Sequence, residues 1–447
     1  MVPLTWRKDR MRVELAGYNT DVQNGGGSPE TLSAAYARIS RDPRPIGELR
    51  RESASEIAKA RASNRRIVFQ YGHGSVAEHA VFNFDVLDVS RLAAEALQSF
   101  RLASFTEKSQ RYIRIGNDLV IPEELDTEQR RIFRSAADEL FSLYSEIHDG
   151  LIAAGASRET AREDARYVLP LATSCQMGMT VNARELELMF RRLSIHPLAE
   201  VRAIVSLLLD EAVRVAPSLF LFTEPGAMDS FAHAMSPALE DTPDVMLTDC
   251  DGDGRVGALL LQYLEGLPLA LARDRWEETG VEVREALFRD ALDGLGIHDA
   301  VPRQWEFFHS EFEAVMSASA FGQMKRHRMC TRLVSVYDPV LGVTVPPSIS
   351  CRSALRELFD EAVRVSETAA GTLSSFYPYM LTNAHRRRVT ISMNGRELYH
   401  FSRLREDSHA QWDIRILAGK VMAVLREAAP LTMMFSGGKS DLEPAVE

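Results

Sequence analysis

The chain has 447 residues, 45% apolar and 26% charged, the composition of an ordinary globular protein with about two or three domains. Its 52 Lys and Arg against 63 Asp and Glu leave a net charge of −11, which argues against coating nucleic acid but allows a local basic pocket. Cys175, Cys250, Cys330 and Cys351 have no CxxC spacing, so no metal and no disulfide framework is expected, and a reducing, cytoplasmic setting fits.

The opening MVPLTWRKDRMRVEL carries no apolar run of the signal-peptide kind, and no later run approaches the length of a membrane span. A short apolar segment, Val13 to Ala16, precedes the loop NGGGSP. Helical patterns follow at about 29–40 and 47–62. After Gly72-His73-Gly74-Ser75-Val76-Ala77-Glu78-His79 comes VFNFDVLDVS, whose alternation of Phe82, Phe84 and Val86 with polar residues predicts a strand. A helix is expected over 89–102, and a short strand entering Val120-Ile121-Pro122. Helical periodicity then runs over 126–154, 158–168, 183–193 and 198–215, and turn formers at 222–243 read as a linker. The second half restarts at Val245, with helices expected at 255–265 and 280–294 and a strand at 308–316. A helix at 317–328, a strand near 332–337, a long helix over 350–376, a strand at 389–393 and helices at 395–405 and 409–428 complete the series.

The organising stretch is Gln323-Met324-Lys325-Arg326-His327-Arg328. Read as the last turn of the 317–328 helix, it puts Gln323 and Arg326 on one face and splays Arg326 from Arg328, so that each cation could serve a different anion. Cations in a last turn also simply complement the helix dipole, and spacing alone leaves that open. A second stretch, NGRELYHFSRLREDSHAQWDIR at 394–415, decides between them. Together the two resemble the flavin-dependent thymidylate synthases, whose signatures include an RHR motif with Gln three residues before it and a helix pair NARSL…F..LR..SHAQWEIR.

The halves repeat at a spacing of roughly 210–225 residues. Asn182-Ala183-Arg184-Glu185-Leu186 aligns with Asn394-Gly395-Arg396-Glu397-Leu398, and Phe100-Arg101-Leu102-Ala103 with His327-Arg328-Met329-Cys330. His196 and Glu200 align with His409 and Asp413, and Ala216-Pro217 with Ala429-Pro430. Four blocks in one order mark two copies of one domain, placed at 1–225 and 244–447 with a linker at 226–243. The implied fold is α/β (α+β), helix-rich, with a small sheet and long helices in each copy.

The copies kept different motifs. The first retains His73, Ser75, Glu78 and His79 of GHxSxxEH and Glu107, Ser109, Arg111 and Tyr112 of ExSxRY, but only Arg101 of RHR. The second retains Gln323, Arg326, His327, Arg328, Arg405, Ser408, His409, Gln411 and Arg415, has no counterpart of Glu78, and lacks ExSxR. The resemblance implies flavin binding by His73, Ser75, Glu78, Arg101, His327, Arg328, Arg405 and His409. It implies nucleotide binding by Gln323, Arg326, Glu107, Ser109, Arg111, Arg388 and Arg415, with Arg326 and Arg415 acting on the reacting base. It further implies FAD as cofactor, methylenetetrahydrofolate as one-carbon donor, NADPH as reductant, and conversion of dUMP to dTMP. Because family sites combine parts from several subunits, complementary inventories suggest a homodimer that imitates a tetramer. The lost motifs support an alternative, a non-catalytic flavin- or nucleotide-binding relative acting as sensor or scaffold.

Two features are set aside. Asp249-Cys250-Asp251-Gly252-Asp253-Gly254 imitates a calcium loop but has Leu260 where the bidentate Glu belongs, so a turn entering a helix at 255 is expected. Cys330 follows RHR where the family places no nucleophile, and reads as a core or pocket-wall residue.

Overall fold

The computed structural model describes residues 11–23, 26–116, 118–231 and 243–442; most of the expected linker lies outside them. The chain forms two compact units. One is Met1–Ala234 with Asp360–Met380, the other Met235–Phe359 with Leu381–Glu447.

The first copy runs β1 (Arg12–Tyr18), α1 (Pro29–Arg38), α2 (Ile46–Ser55), α3 (Ile57–Asn64), β2 (Val81–Ser90), α4 (Arg91–Leu97), β3 (Ala103–Glu107), α5 (Thr127–Ala153), α6 (Arg158–Ala165), β4 (Ser174–Asn182), α7 (Ala183–Leu193), α8 (Ala199–Val215) and α9 (Ala227–Phe231). The second runs β5 (Val245–Cys250), α10 (Gly254–Glu265), α11 (Leu269–Glu278), α12 (Val281–Ala291), β6 (His309–Ser317), α13 (Ala318–Met324), β7 (Thr331–Val334), α14 (Pro347–Ser350), α15 (Ser353–Thr372), β8 (Arg386–Asn394), α16 (Gly395–Arg405), α17 (Trp412–Ala428) and α18 (Lys439–Leu442). Each copy holds a four-stranded antiparallel sheet, in the order β1-β2-β4-β3 and β5-β6-β8-β7. The same order twice is the structural form of the repeat, and the helix-rich α/β expectation holds.

Alternation sets which face of each sheet is buried. In β2, Phe82, Phe84 and Val86 face the core while Asn83 and Asp85 face out. In β4, Cys175, Met177, Met179 and Val181 do the same against α7 and α8. Each fully buried Phe contributes about 1.5–3 kcal/mol. No strand is expected at 174–182, because Gly178 and Asn182 are poor strand formers and pairing with β2 and β3 selects that state.

Several boundaries moved. The helix expected at 89–102 stops at Leu97, and Ala103–Glu107 forms β3. No strand forms at 120–122; Leu119 makes one isolated bridge to Thr173. The helix expected to carry RHR ends at Met324, so Arg326, His327 and Arg328 lie in the turn beyond it. Arg405 ends α16 as expected, and His409, expected to open the next helix, lies in the turn before α17.

Corresponding helix starts are built alike. Asn182 and Asn394 each accept the third backbone N–H of their helix, from Glu185 and Glu397. Gly395, where the family pattern has Ala, is demanded by packing: a Cβ there would stand 2.8 Å from the carbonyl oxygen of Trp305. In the acidic loop, Asp251 accepts from His309 N, and Asp253 from Leu431 N and Thr432 N, so two carboxylates tie backbone together.

Candidate functional site

The second copy brings four motif residues into direct contact. β6 ends at Ser317, whose Oγ accepts from Ala320 N at 3.0 Å and donates to Asp413 on α17, fixing the start of α13. One short helix later the chain turns, and His327 is driven inward to 2% exposure. Arg405 Nε donates to His327 Nε2 at 2.9 Å, and His327 Nδ1 lies 3.0 Å from Glu397 Oε1. A guanidinium can only donate, so Nε2 must be the acceptor and the neutral ring carries its proton on Nδ1, facing the carboxylate. Burial, with Arg405 beside it, holds the His327 imidazole well below its ordinary pKa, while burial pushes the Glu397 carboxyl up.

The rest of the Arg405 fork binds Gln323, at its side-chain oxygen and its carbonyl, both at 3.2 Å. The His327 carbonyl accepts from Arg332 Nη1 at 2.5 Å and from the Cys330 thiol at 2.8 Å. Cys330 is thus a buried core residue that helps pin the turn. Around this anchor Arg326 and Arg328 stand exposed, and the Arg326 side chain makes no hydrogen bond or ion pair among the described residues.

His327 and Arg405, expected as flavin contacts, instead spend these polar atoms on each other and on Gln323 and Glu397, and so fix the turn that carries Arg326 and Arg328. Sequence reasoning passed over Glu397; its signal was that Glu185 occupies the same place in the first copy.

Three more residues of this copy are placed separately. Arg415, on α17, donates to the Ser408 carbonyl at 2.8 Å and is half-buried. The His409 ring is exposed, with Nδ1 3.0 Å from Asp407. Arg388, on β8, lies 3.7 Å from Glu313.

In the first copy, His73 and Ser75 are exposed on a 3-10 turn, Gly74–His79, and Glu78 pairs with Arg184 of α7 at 2.5 Å. Arg101 is exposed in the turn before β3. Glu107 ends that strand, accepting from Arg91 and Gln98 at 3.0 Å each. Ser109 Oγ accepts from Arg111 N at 3.1 Å, and the Arg111 guanidinium pairs with Glu163 of α6. No hydrogen bond joins the His73 turn to the Glu107–Arg111 segment among the described residues.

An exposed guanidinium without a partner, set on an immobilised turn, is the chemistry for phosphate or pyrophosphate. The family model of the thymidylate synthase complementing protein matches residues 25–218 and 278–431, once in each copy. The chain belongs to this family.

Flavin-dependent thymidylate synthases are among its similar relatives. That of Clostridium tetani (strain Massachusetts / E88) is 30% identical over 231 residues, 49% of this chain and 92% of the relative. That of Geobacter sulfurreducens (strain ATCC 51573 / DSM 12127 / PCA) is 34% identical over 207 residues, 45% and 84% respectively. Among solved structures, the UMP/dUMP methylase PolB from Streptomyces cacaoi bound with 5-Br dUMP is 22% identical, with 47% of this chain and 93% of that one covered and a TM-score of 0.37. No helix among the described residues is long and apolar enough to cross a membrane.

Proposed function

We propose that this protein is a flavin-dependent thymidylate synthase that converts dUMP to dTMP, with FAD as cofactor, methylenetetrahydrofolate as one-carbon donor and NADPH as reductant. The observation that carries the reading is the family match in both copies, together with the Gln323-to-Arg328 turn held rigid by buried polar contacts. When bound, flavin supplies the redox chemistry. The chain's own residues do the positioning. Arg326 and Arg415 hold the nucleotide and draw electron density from the base; Arg111, Ser109, Glu107, Gln323 and Arg388 complete its site. His73, Ser75, Glu78, Arg101, Arg328 and His409 line the flavin, and His327 with Arg405 fixes the turn from behind.

We further propose that the motifs divided between the copies serve one activity in a homodimer. The support is that GHxSxxEH and ExSxRY survive in the first copy and RHR and SHAQWDIR in the second.

The direct test is an absorbance spectrum of the native protein with and without dUMP, combined with tritium release from five-tritiated dUMP. Flavin absorbance with release supports the synthase. Flavin absorbance without release indicates a binding-only relative, and a colourless protein that cannot be loaded with FAD overturns the proposal. Mixing Arg326→Ala chains with Arg111→Ala chains tests the pooling. Recovered turnover in the mixture supports sites completed by two chains, and two inactive proteins that stay inactive when refolded together reject it.

A further inference from the structure

A cavity of about 290 Å³ in the first unit is lined by Arg114, His148, Asp149, Ile152, Arg158 and Arg162. Apart from Arg114, two residues after the ExSxRY motif, these come from two packed helices. His148 and Ile152 are one turn apart on α5, as Arg158 and Arg162 are on α6. Three guanidinium groups face one carboxylate, a surplus of two positive charges before the histidine is counted.

Part of this positive chemistry is already used. Arg114 Nη2 lies 3.3 Å from Asp149, and Arg162 Nη1 donates to the Tyr112 carbonyl at 2.9 Å. His148 Nδ1 meets Asp149 at 2.8 Å, and that bond holds the Asp149 carboxyl below its usual range. Two lining side chains keep a buried nitrogen without a partner, His148 Nε2 and Arg162 Nε, and the His148 side chain is only 8% exposed. The Arg158 side chain makes no hydrogen bond or ion pair among the described residues. Buried polar atoms are normally matched; the Arg162 Nε–H lacks an acceptor, and His148 Nε2, whose ring proton sits on Nδ1 against Asp149, lacks a donor, which at a basic cavity points to a missing ligand carrying both.

We propose that this cavity is a binding site for a phosphate dianion, free or as a phosphate monoester. Two net positive charges match the dianion, and guanidinium forks suit its oxygens. With Nδ1–H given to Asp149, His148 Nε2 can accept from the P–OH that the free phosphate dianion carries. Ile152 offers an apolar wall to the carbon part of an ester. The site does not depend on the flavin reading.

The test is calorimetric titration of the full chain with inorganic phosphate and with ribose 5-phosphate, at constant ionic strength, in the Arg326→Ala background so that the nucleotide site contributes least. Saturable binding is expected, weakened at least ten-fold by Arg158→Glu and by Arg114→Ala. Glu at the first turn of α6 is itself favourable to the helix, so the charge reversal leaves the fold intact. In the otherwise native chain, Arg158→Glu leaves dUMP-dependent tritium release unchanged. Tighter binding of ribose 5-phosphate assigns an ester, and binding of phosphate alone assigns the free anion. No saturable binding of either probe, or binding indifferent to Arg158→Glu, overturns the proposal.

Discussion

Past the end of α13 the second copy buries His327 and Arg405 against half-buried Gln323, around Glu397. At the equivalent places the first copy holds Phe100, Leu193 and Ala96, around Glu185. The backbone frame is shared, with matching strand orders and matching asparagine caps. In the first copy Phe100 and Leu193 join the hydrophobic core, and Glu185 satisfies the backbone N–H of Leu102 at 3.1 Å. The comparison shows that this corner of the fold closes well without the polar residues. Burying an imidazole and a guanidinium costs desolvation that apolar residues avoid, so the second copy's version is explained by what it positions.

The largest effect is expected from converting one copy into the other. Arg405→Leu alone leaves His327 and Gln323 without their donor and destabilises the second unit by about 3–5 kcal/mol in denaturant unfolding. The triple variant Gln323→Ala, His327→Phe, Arg405→Leu recovers most of that stability yet loses turnover at least as fully as the single variant. A triple variant that keeps its activity breaks the comparison.

Next is Arg326→Ala. It removes an exposed guanidinium and should leave the unfolding midpoint unchanged. Losing one charge-assisted contact of about 1.5–3 kcal/mol reduces dUMP affinity or turnover roughly 10- to 100-fold, read by tritium release. An unchanged rate would mean that the rigid turn presents something other than Arg326.

A smaller effect separates the two capping serines. Ser90 Oγ donates to Glu200 at 2.7 Å as Ser317 Oγ donates to Asp413, but Glu200 also accepts from Ser90 N at 2.6 Å and from Tyr379 at 2.8 Å. Burial pushes the Glu200 carboxyl above its ordinary value. Its native form therefore binds protons more tightly than the unfolded chain does, and its contribution to stability falls as pH rises from about 4.5. Glu200→Gln, which imitates the protonated acid, should gain relative to the parent as pH goes from 4.5 to 7. A difference between the two midpoints that does not vary with pH would refute this.

The smallest expected change is from the caps alone. Ser317→Ala costs about 1 kcal/mol through its helix start. Ser90→Ala costs somewhat more, because it also strips a donor from a fully buried carboxylate. Equal losses would show that burial of Glu200 adds nothing.

Much of this was legible in the chain. Period-two alternation located β2, helical periodicity located the long helices, and four aligned blocks announced the repeat and which motifs each copy kept. These features are local, because a pattern of polarity or a short motif needs no partner to be read. Tertiary structure decided the rest. Cys175, Met177 and Met179 form a strand because two neighbours pair with it. The RHR residues leave the helix because the chain turns there to place His327 between Arg405 and Glu397, residues 78 and 70 positions away in sequence. Sequence determined which side chains were present at this corner; only packing determined that two of the supposed ligand contacts point inward, since burial and hydrogen-bond partners are properties of distant segments brought together.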